Sequence, residues 1–248
     1  MKTRKIISLL LVSMLLVSCG LLKDAGVKVI TPSDTIISEN RPVSGYSAID
    51  FSTLGKVNII QGDQESLNIS GPDNLVAEIS TTVNSGTLNI KNKENITVTT
   101  LSSDKMLTFT IVVKDLSSLS VSGLGDVQIE ALSTPKLDIS MSGAGRIQQN
   151  QLTTDNLNID ISGAGGIDIS GQATKATIEL SGAGGVNAPD LKIQNATVTL
   201  SGLGGATVWV TDQLTTEISG VGSVSYYGNP QVTPNNSGLG TLKSLGNK

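Results

Sequence analysis

A five-residue phrase, Ser-Gly-aliphatic-Gly followed by a variable residue, starts at Ser122 and returns at Ser142, Ser162, Ser181, Ser201, Ser219 and Ser237. The steps between serines are 20, 20, 19, 20, 18 and 18 residues. A near-constant period of this size marks a solenoid, in which each unit buries its apolar face only by stacking on its neighbours. Ahead of the phrases the chain alternates: Leu137, Ile139, Met141; Leu157, Ile159, Ile161; Ala176, Ile178, Leu180; Ala196, Val198, Leu200. Period two is the signature of strand. A second short apolar stretch follows each phrase, as in Val127 and Ile129 or Ile167 and Ile169, so one coil holds two or three short strands separated by bends. Glycine supplies the bends, because a tight coil needs positive φ or close backbone approach. A helix would need apolar spacing of three and four with few glycines. Stacked coils then pair in parallel at about 4.8 Å and line up their aliphatic residues as internal ladders.

Residues 46–114 alternate less regularly, through Val57 and Ile59, Leu67 and Ile69, Leu88 and Ile90, and Leu107 to Val113. Turn signals at Gly62-Asp63, Gly71-Pro72 and Ser85-Gly86 give this opening portion of the same body some antiparallel hairpin character. At the far end Pro230, Pro234 and their polar neighbours are expected to blunt the last edge.

The chain begins with Lys2, Arg4 and Lys5, then runs apolar from Ile6 to Val17, too short for an ordinary membrane span. That is a secretory signal. Its end, Leu16-Val17-Ser18-Cys19, resembles the lipobox of bacterial lipoproteins, which implies cleavage before Cys19 and lipid attachment to it. Several acyl chains anchor stably where one does not. The expected organisation is a lipoprotein signal at 1–18, a flexible tether at 19–43 carrying Pro32, Pro42 and scattered charges, and a β-solenoid domain at 44–248 with regular repeats over about 116–241. The chain is then exported and lipid-anchored in the cell envelope at the outer membrane, with the face it occupies left open.

The phrase Tyr46-Ser-Ala-Ile-Asp-Phe51, then Gly55-Lys-Val-Asn-Ile-Ile-Gln-Gly62, Gly86-Thr-Leu-Asn-Ile-Lys91 and the Ser-Gly-Ala-Gly repeats resemble the GIN-domain family, described as an auto-transporter adhesin head domain and common in Bacteroidetes lipoproteins. The resemblance covers about residues 44–228 and lies in the order of the segments. A Gly-Ile-Asn string is absent, and Gly185-Val186-Asn187 and Gly166-Ile167-Asp168 come nearest. It implies an all-β fold, a right-handed parallel β-helix-like solenoid, and it brings no catalytic or binding residues with it.

The chain has no histidine and a single cysteine, which excludes His-based catalysis, His/Cys zinc sites and disulfides. Lys plus Arg number 17 against 21 Asp plus Glu, and three of the bases lie in the signal, so nucleic acid is not an expected partner. Two positions before the repeat serines stand Ser120, Ser140, Asp160, Glu179, Thr199 and Glu217 on the outward parity. Asp160 and Glu179 should therefore neighbour one another and are the candidate metal ligands, against a simple solvated pair. Glycine-rich calcium turns need an Asp in every repeat, and here only Asp126 stands at the fifth position. Neither a cofactor nor an enzymatic activity is expected, since no nucleophile with an adjacent base can be assembled. Trp209, between Val208 and Val210, should face water, and Tyr226 or Tyr227 one coil on could join it as a ligand-binding group. The repeat serines are expected to hydrogen-bond the turns beneath them. These features point to a membrane-tethered binding or adhesion module for a glycan or protein ligand. The alternatives are a structural protein that self-associates in the envelope and a carbohydrate-active β-helix enzyme. Ligand and oligomeric state are open.

Overall fold

The computed structural model describes residues 28–99 and 102–248. The signal segment, Cys19 and the first part of the predicted tether lie outside the described residues.

The repeat region is a stack of coils. Strands Ala144–Ile161, Gly166–Leu180, Gly185–Leu200 and Leu203–Ile218 each trace most of one turn, and each pairs in parallel with the next. Within a coil three sides turn residues inward: Ile147 and Gln149, then Leu152 and Thr154, then Leu157, Ile159 and Ile161, all buried. The bend between the first two sides is a bulge after Gln149, with Gln151 at φ 60°. Vertical ladders result. Leu137, Leu157, Ala176, Ala196 and Leu214 are successive partners, and so are Val57, Val127, Ile147, Ile167, Val186, Ala206 and Val224. Each coil covers the apolar face that its neighbour could not bury alone, which is how a solenoid acquires a core without bulky rings.

The opening portion closes one end of this stack, and the coils do not follow chain order. Strands Ala48–Ser52 and Leu54–Gln61 form a coil that lies against Ser118–Val121 and Leu124–Ile129, skipping about fifty residues of sequence. Strands from the skipped segment form the outer layer. Thr87–Asn92 and Thr108–Val113 pair in parallel with that first coil from its other side, and antiparallel strands Ile79–Asn84 and Ser66–Pro72 cover them. Phe51 and Phe109, the two phenylalanines, meet edge to face there with centroids 5.1 Å apart. Tyr46 is 3% exposed, its phenol donating to the Val112 carbonyl at 2.8 Å; burial, reinforced by the Glu65 charge, pushes it up to about 12.

The tether assignment is corrected over residues 28–41. Lys28–Ile30 pairs in parallel with Ile96–Val98, and Ile36–Arg41 pairs antiparallel with residues 67–72 of Ser66–Pro72. The Ser66–Pro72 edge would otherwise present unpaired backbone to water, and this segment covers it although its own residues are mostly exposed. At the opposite end Gln231–Asn236 is the last rung of its face, with Pro234 opposite Thr216.

Candidate functional site

After each Ser-Gly-aliphatic-Gly phrase the chain enters a strand whose outward residues form two parallel files. The phrase's fifth residue makes the first: Asp126, Arg146, Gly166, Gly185, Gly205 and Ser223 are successive partners. The residue two further on makes the second: Gln128, Gln148, Asp168, Asn187, Thr207 and Ser225. Where three glycines fall in succession the first file has no side chains, and a groove of about 370 Å³ opens along the stack. Its floor is Gly166, Gly185 and Gly205, its wall Asp168, Asn187 and Thr207, and Arg146 and Ser223 stand at its ends.

These fifth-position glycines differ from those at the second position of the phrase. At the second position of every phrase a Cβ would lie 1.8–2.5 Å from a backbone atom of the neighbouring coil, so stacking itself demands glycine. At Gly166 a Cβ meets nothing nearer than 3.9 Å; at Gly185 and Gly205 the nearest atoms are 3.1 and 2.9 Å away. Stacking thus leaves Gly166 free to be another residue, and a side chain there would fill the groove.

The wall is organised by charge. The Arg146 guanidinium donates from Nη1 to Asp168 Oδ2 at 2.6 Å, and Asn187 Nδ2 donates to Asp168 Oδ1 at 3.0 Å. Asp168 is held by both neighbours, while Arg146 keeps 59% of its side chain exposed. An open polar wall over a flat backbone floor can receive an extended ligand lying along the solenoid axis, the side chains hydrogen-bonding one edge of it.

Trp209 lies two residues beyond Thr207, between the fully buried Val208 and Val210, and past the bend: its file runs through Lys192, Gln172 and Thr153 on the second side of the coils. It is half-buried, opposite Tyr227 on the next coil and Lys192 on the previous one. The Lys192 ammonium stands 5.9 Å from its ring centroid. Of the two candidate tyrosines the structure brings Tyr227 to the tryptophan. Tyr226 is in register with Val208 and packs against the core, so it leaves the site.

The acid file forms as the spacing predicts: Ser120, Ser140, Asp160, Glu179, Thr199 and Glu217 are successive partners, with Asp50 before them. Asp160 and Glu179 are both exposed. Asp138 beside them is taken up by Lys136 and by Asn158, each at 2.7 Å. Among the described residues no group of three or more His, Cys, Asp or Glu side chains is placed to hold a metal ion.

The repeat serines stand in a file, but their expected hydrogen bonding is corrected. Each backbone N–H donates to a carbonyl of the neighbouring coil, as Ser162 to Met141 at 3.0 Å and Ser181 to Ile161 at 3.0 Å. The hydroxyls are exposed and make no hydrogen bond among the described residues, because the turn backbone already satisfies itself coil to coil. Next to them the third residues of the phrases form an exposed aliphatic ridge, with Leu124 65%, Leu203 62%, Val221 51% and Leu239 84% exposed.

Sequence reasoning missed the groove. The signal was present: all seven phrases carry glycine at positions two and four, whereas only three consecutive ones add a third at position five.

A family model described as "Putative auto-transporter adhesin, head GIN domain" matches residues 45–230. A crystal structure from Bacteroides fragilis, described as a "putative adhesin", is 30% identical and superposes with a TM-score of 0.78, covering 87% of this chain and 100% of that one. Two proteins of Parabacteroides distasonis share the fold at 21% and 20% identity, with TM-scores of 0.67 and 0.66; each match covers 88% of this chain and 100% of the other. One is described as a "putative adhesin" and the other as a "Putative lipid binding protein". No curated protein matches the chain. With the solenoid, its two outward files and the match over residues 45–230 together, the chain belongs to the GIN-domain family.

Proposed function

We propose that this chain is a non-catalytic, adhesion-type binding module of the cell envelope, anchored through lipid on Cys19, which takes a glycan or protein ligand across the groove and the adjoining corner that carries Trp209. The observation that carries the reading is the glycine floor. Stacking does not require Gly166, yet glycine there opens a groove flanked by Arg146, Asp168, Asn187 and Thr207, with Trp209 and Tyr227 around the adjoining bend, Trp209 two residues beyond Thr207. The adhesin descriptions of the family and of the B. fragilis relative support it. So does the chemistry of the face. Its carboxylate and guanidinium are paired with each other, and the chain has no histidine to act as a general base near neutral pH.

The test is binding of the lipid-free chain to immobilised envelope glycans and envelope proteins. Gly166→Gln, which fills the groove, and Trp209→Ala are each expected to weaken retention by about tenfold or more, the loss typical of a central contact. Thermal melts should stay within about 3 °C of the natural chain, since neither change touches the buried ladders. Unaltered retention in both variants would dispose of the reading. Anchoring is checked separately: cells labelled with palmitate should lose the label from this chain on Cys19→Ala, and a label that persists removes the lipid from the account.

A specific observation also favours side-by-side association. On three successive coils Leu203, Val221 and Leu239 form an exposed aliphatic ridge parallel to the stack, where a polar file would be expected on a solvated edge. Light scattering of the lipid-free chain reads this directly.

A further inference from the structure

The surroundings of Trp209 hold more than a single exposed ring. Leu245 N donates to the Tyr226 carbonyl at 2.8 Å and Gly228 N to the Gly246 carbonyl at 2.9 Å, so the chain after strand Thr241–Ser244 is laid beside the aromatic pair. That path delivers the ammonium of Lys248 to a point 5.5 Å from the Trp209 ring centroid and 5.4 Å from that of Tyr227. There it donates to the carbonyl of Pro189 and to the carboxylate of Asp190. Pro189 and Asp190 belong to the short insertion that shifts the register between Ala188 and Lys192, which is why they rise beside Trp209 and do not continue the ladder. Two aromatic faces, one carboxylate and one carbonyl therefore converge on a single primary ammonium. This is the composition of a cation cage: ring quadrupoles attract the charge, the carboxylate neutralises it, and the carbonyl accepts one of its hydrogens.

We infer that Trp209, Tyr227, Asp190 and the Pro189 carbonyl form an ammonium-binding site that receives a lysine side chain of a partner protein, and that Lys248 occupies it while no partner is bound. The inference rests on the adhesion reading above and names a chemistry for it. A lysine side chain is favoured over other ammonium groups because a lysine is what the structure already holds there. A second cation, Lys192 on the previous coil, stands 5.9 Å from the centroid of the same tryptophan, so the ring already attracts more than one positive charge. An internal occupant lowers the apparent affinity for an external one by the fraction of time the site is filled, so displacing Lys248 regulates access.

The chain contains one tryptophan, so its fluorescence reports on this site alone. The probe is Nα-acetyl-lysine amide, titrated into the natural chain and into Lys248→Gln, with Nα-acetyl-norleucine amide as the uncharged control of similar length and glucosamine as an ammonium from a sugar. Lys248→Gln is expected to bind the lysine probe about tenfold more tightly than the natural chain, with little response to norleucine. Adding Asp190→Asn to Lys248→Gln should reduce that affinity about fivefold or more while leaving the melt unchanged, since Asp190 is exposed. Equal binding by norleucine, no gain on Lys248→Gln, or a preference for glucosamine over the lysine probe would each overturn the assignment. If the lysine probe fails while Trp209→Ala still weakens retention on envelope material, the cage is wrong and the adhesion reading stands.

Discussion

Gly182→Ala is expected to lower the melting temperature by about 10 °C or more, or to prevent folding, whereas Gly166→Ala in the adjacent coil should change it by no more than about 3 °C. The two glycines occupy the second and fifth positions of successive copies of the phrase, and both substitutions add one methyl group. At position 182 the new Cβ would fall 2.1 Å from the Gly163 carbonyl oxygen and 2.5 Å from that of Ser162, well inside any van der Waals contact. The neighbouring atoms are backbone and cannot rotate away. Relief requires the two coils to part, which breaks the bonds from Ser181 N and Gly182 N to the Ile161 carbonyl and from Ala183 N to the Gly163 carbonyl. The cost is about 4 kcal/mol or more, in the range reserved for overpacking against immovable groups. At position 166 the nearest atom is 3.9 Å away, an ordinary contact, and alanine also restricts the unfolded chain. Circular dichroism melts of the two variants decide the matter. Equal melting points would mean that the coils do not stack as closely as described.

The second large effect concerns one internal ladder and has opposite signs at two of its rungs. Ile139, Ile159, Ile178, Val198 and Thr216 are successive partners on the inner face of the coils. Ile178 is fully buried with aliphatic neighbours above and below, so Ile178→Asp would place a carboxylate where no cation or donor can reach it. The outcome expected is loss of the folded state, a penalty of about 5 kcal/mol or more. Thr177→Asp, one residue earlier and facing outward, should be nearly neutral and serves as the control. Thr216 has the reverse problem. It is 1% exposed, and its hydroxyl has no hydrogen-bond partner. Thr216→Val keeps the shape and removes the stranded polar group, and is expected to stabilise by about 1 kcal/mol, or roughly 3 °C in the melt. A drop in stability for Thr216→Val would indicate that the hydroxyl is satisfied.

Much of this architecture is legible in the residues themselves. The alternation Leu157, Ile159, Ile161 assigns those positions to the interior, and the structure buries them. The spacing that set Asp160 against Glu179 is realised as direct register. Trp209 faces outward because Val208 and Val210 face in. The reading failed where a local pattern was too short or where a neighbour had to be identified. Ile36–Arg41 passed for tether because six mostly exposed residues carry little periodicity; only the open edge of Ser66–Pro72 makes a strand of them. The serine hydroxyls were given partners that the turn backbone had already supplied. The groove went unseen because a glycine required by stacking and one that stacking does not require look the same in a sequence.

The chain's periodicity by itself determined that there are coils, that they are made of strand, and which side chains point inward. Each of these depends on residues two or twenty positions apart at a constant spacing. Only the tertiary structure decided that strands Ser66–Pro72, Ile79–Asn84, Thr87–Asn92 and Thr108–Val113 fold outside the first coil as its cover, that Tyr227 and not Tyr226 meets Trp209, and that Lys248 reaches both rings. Those outcomes depend on where coils lengthen by a bulge or shorten by a residue, and on which exposed edge a distant segment can pair with. Such choices are settled by the free energy of the whole stack and leave no local periodic trace.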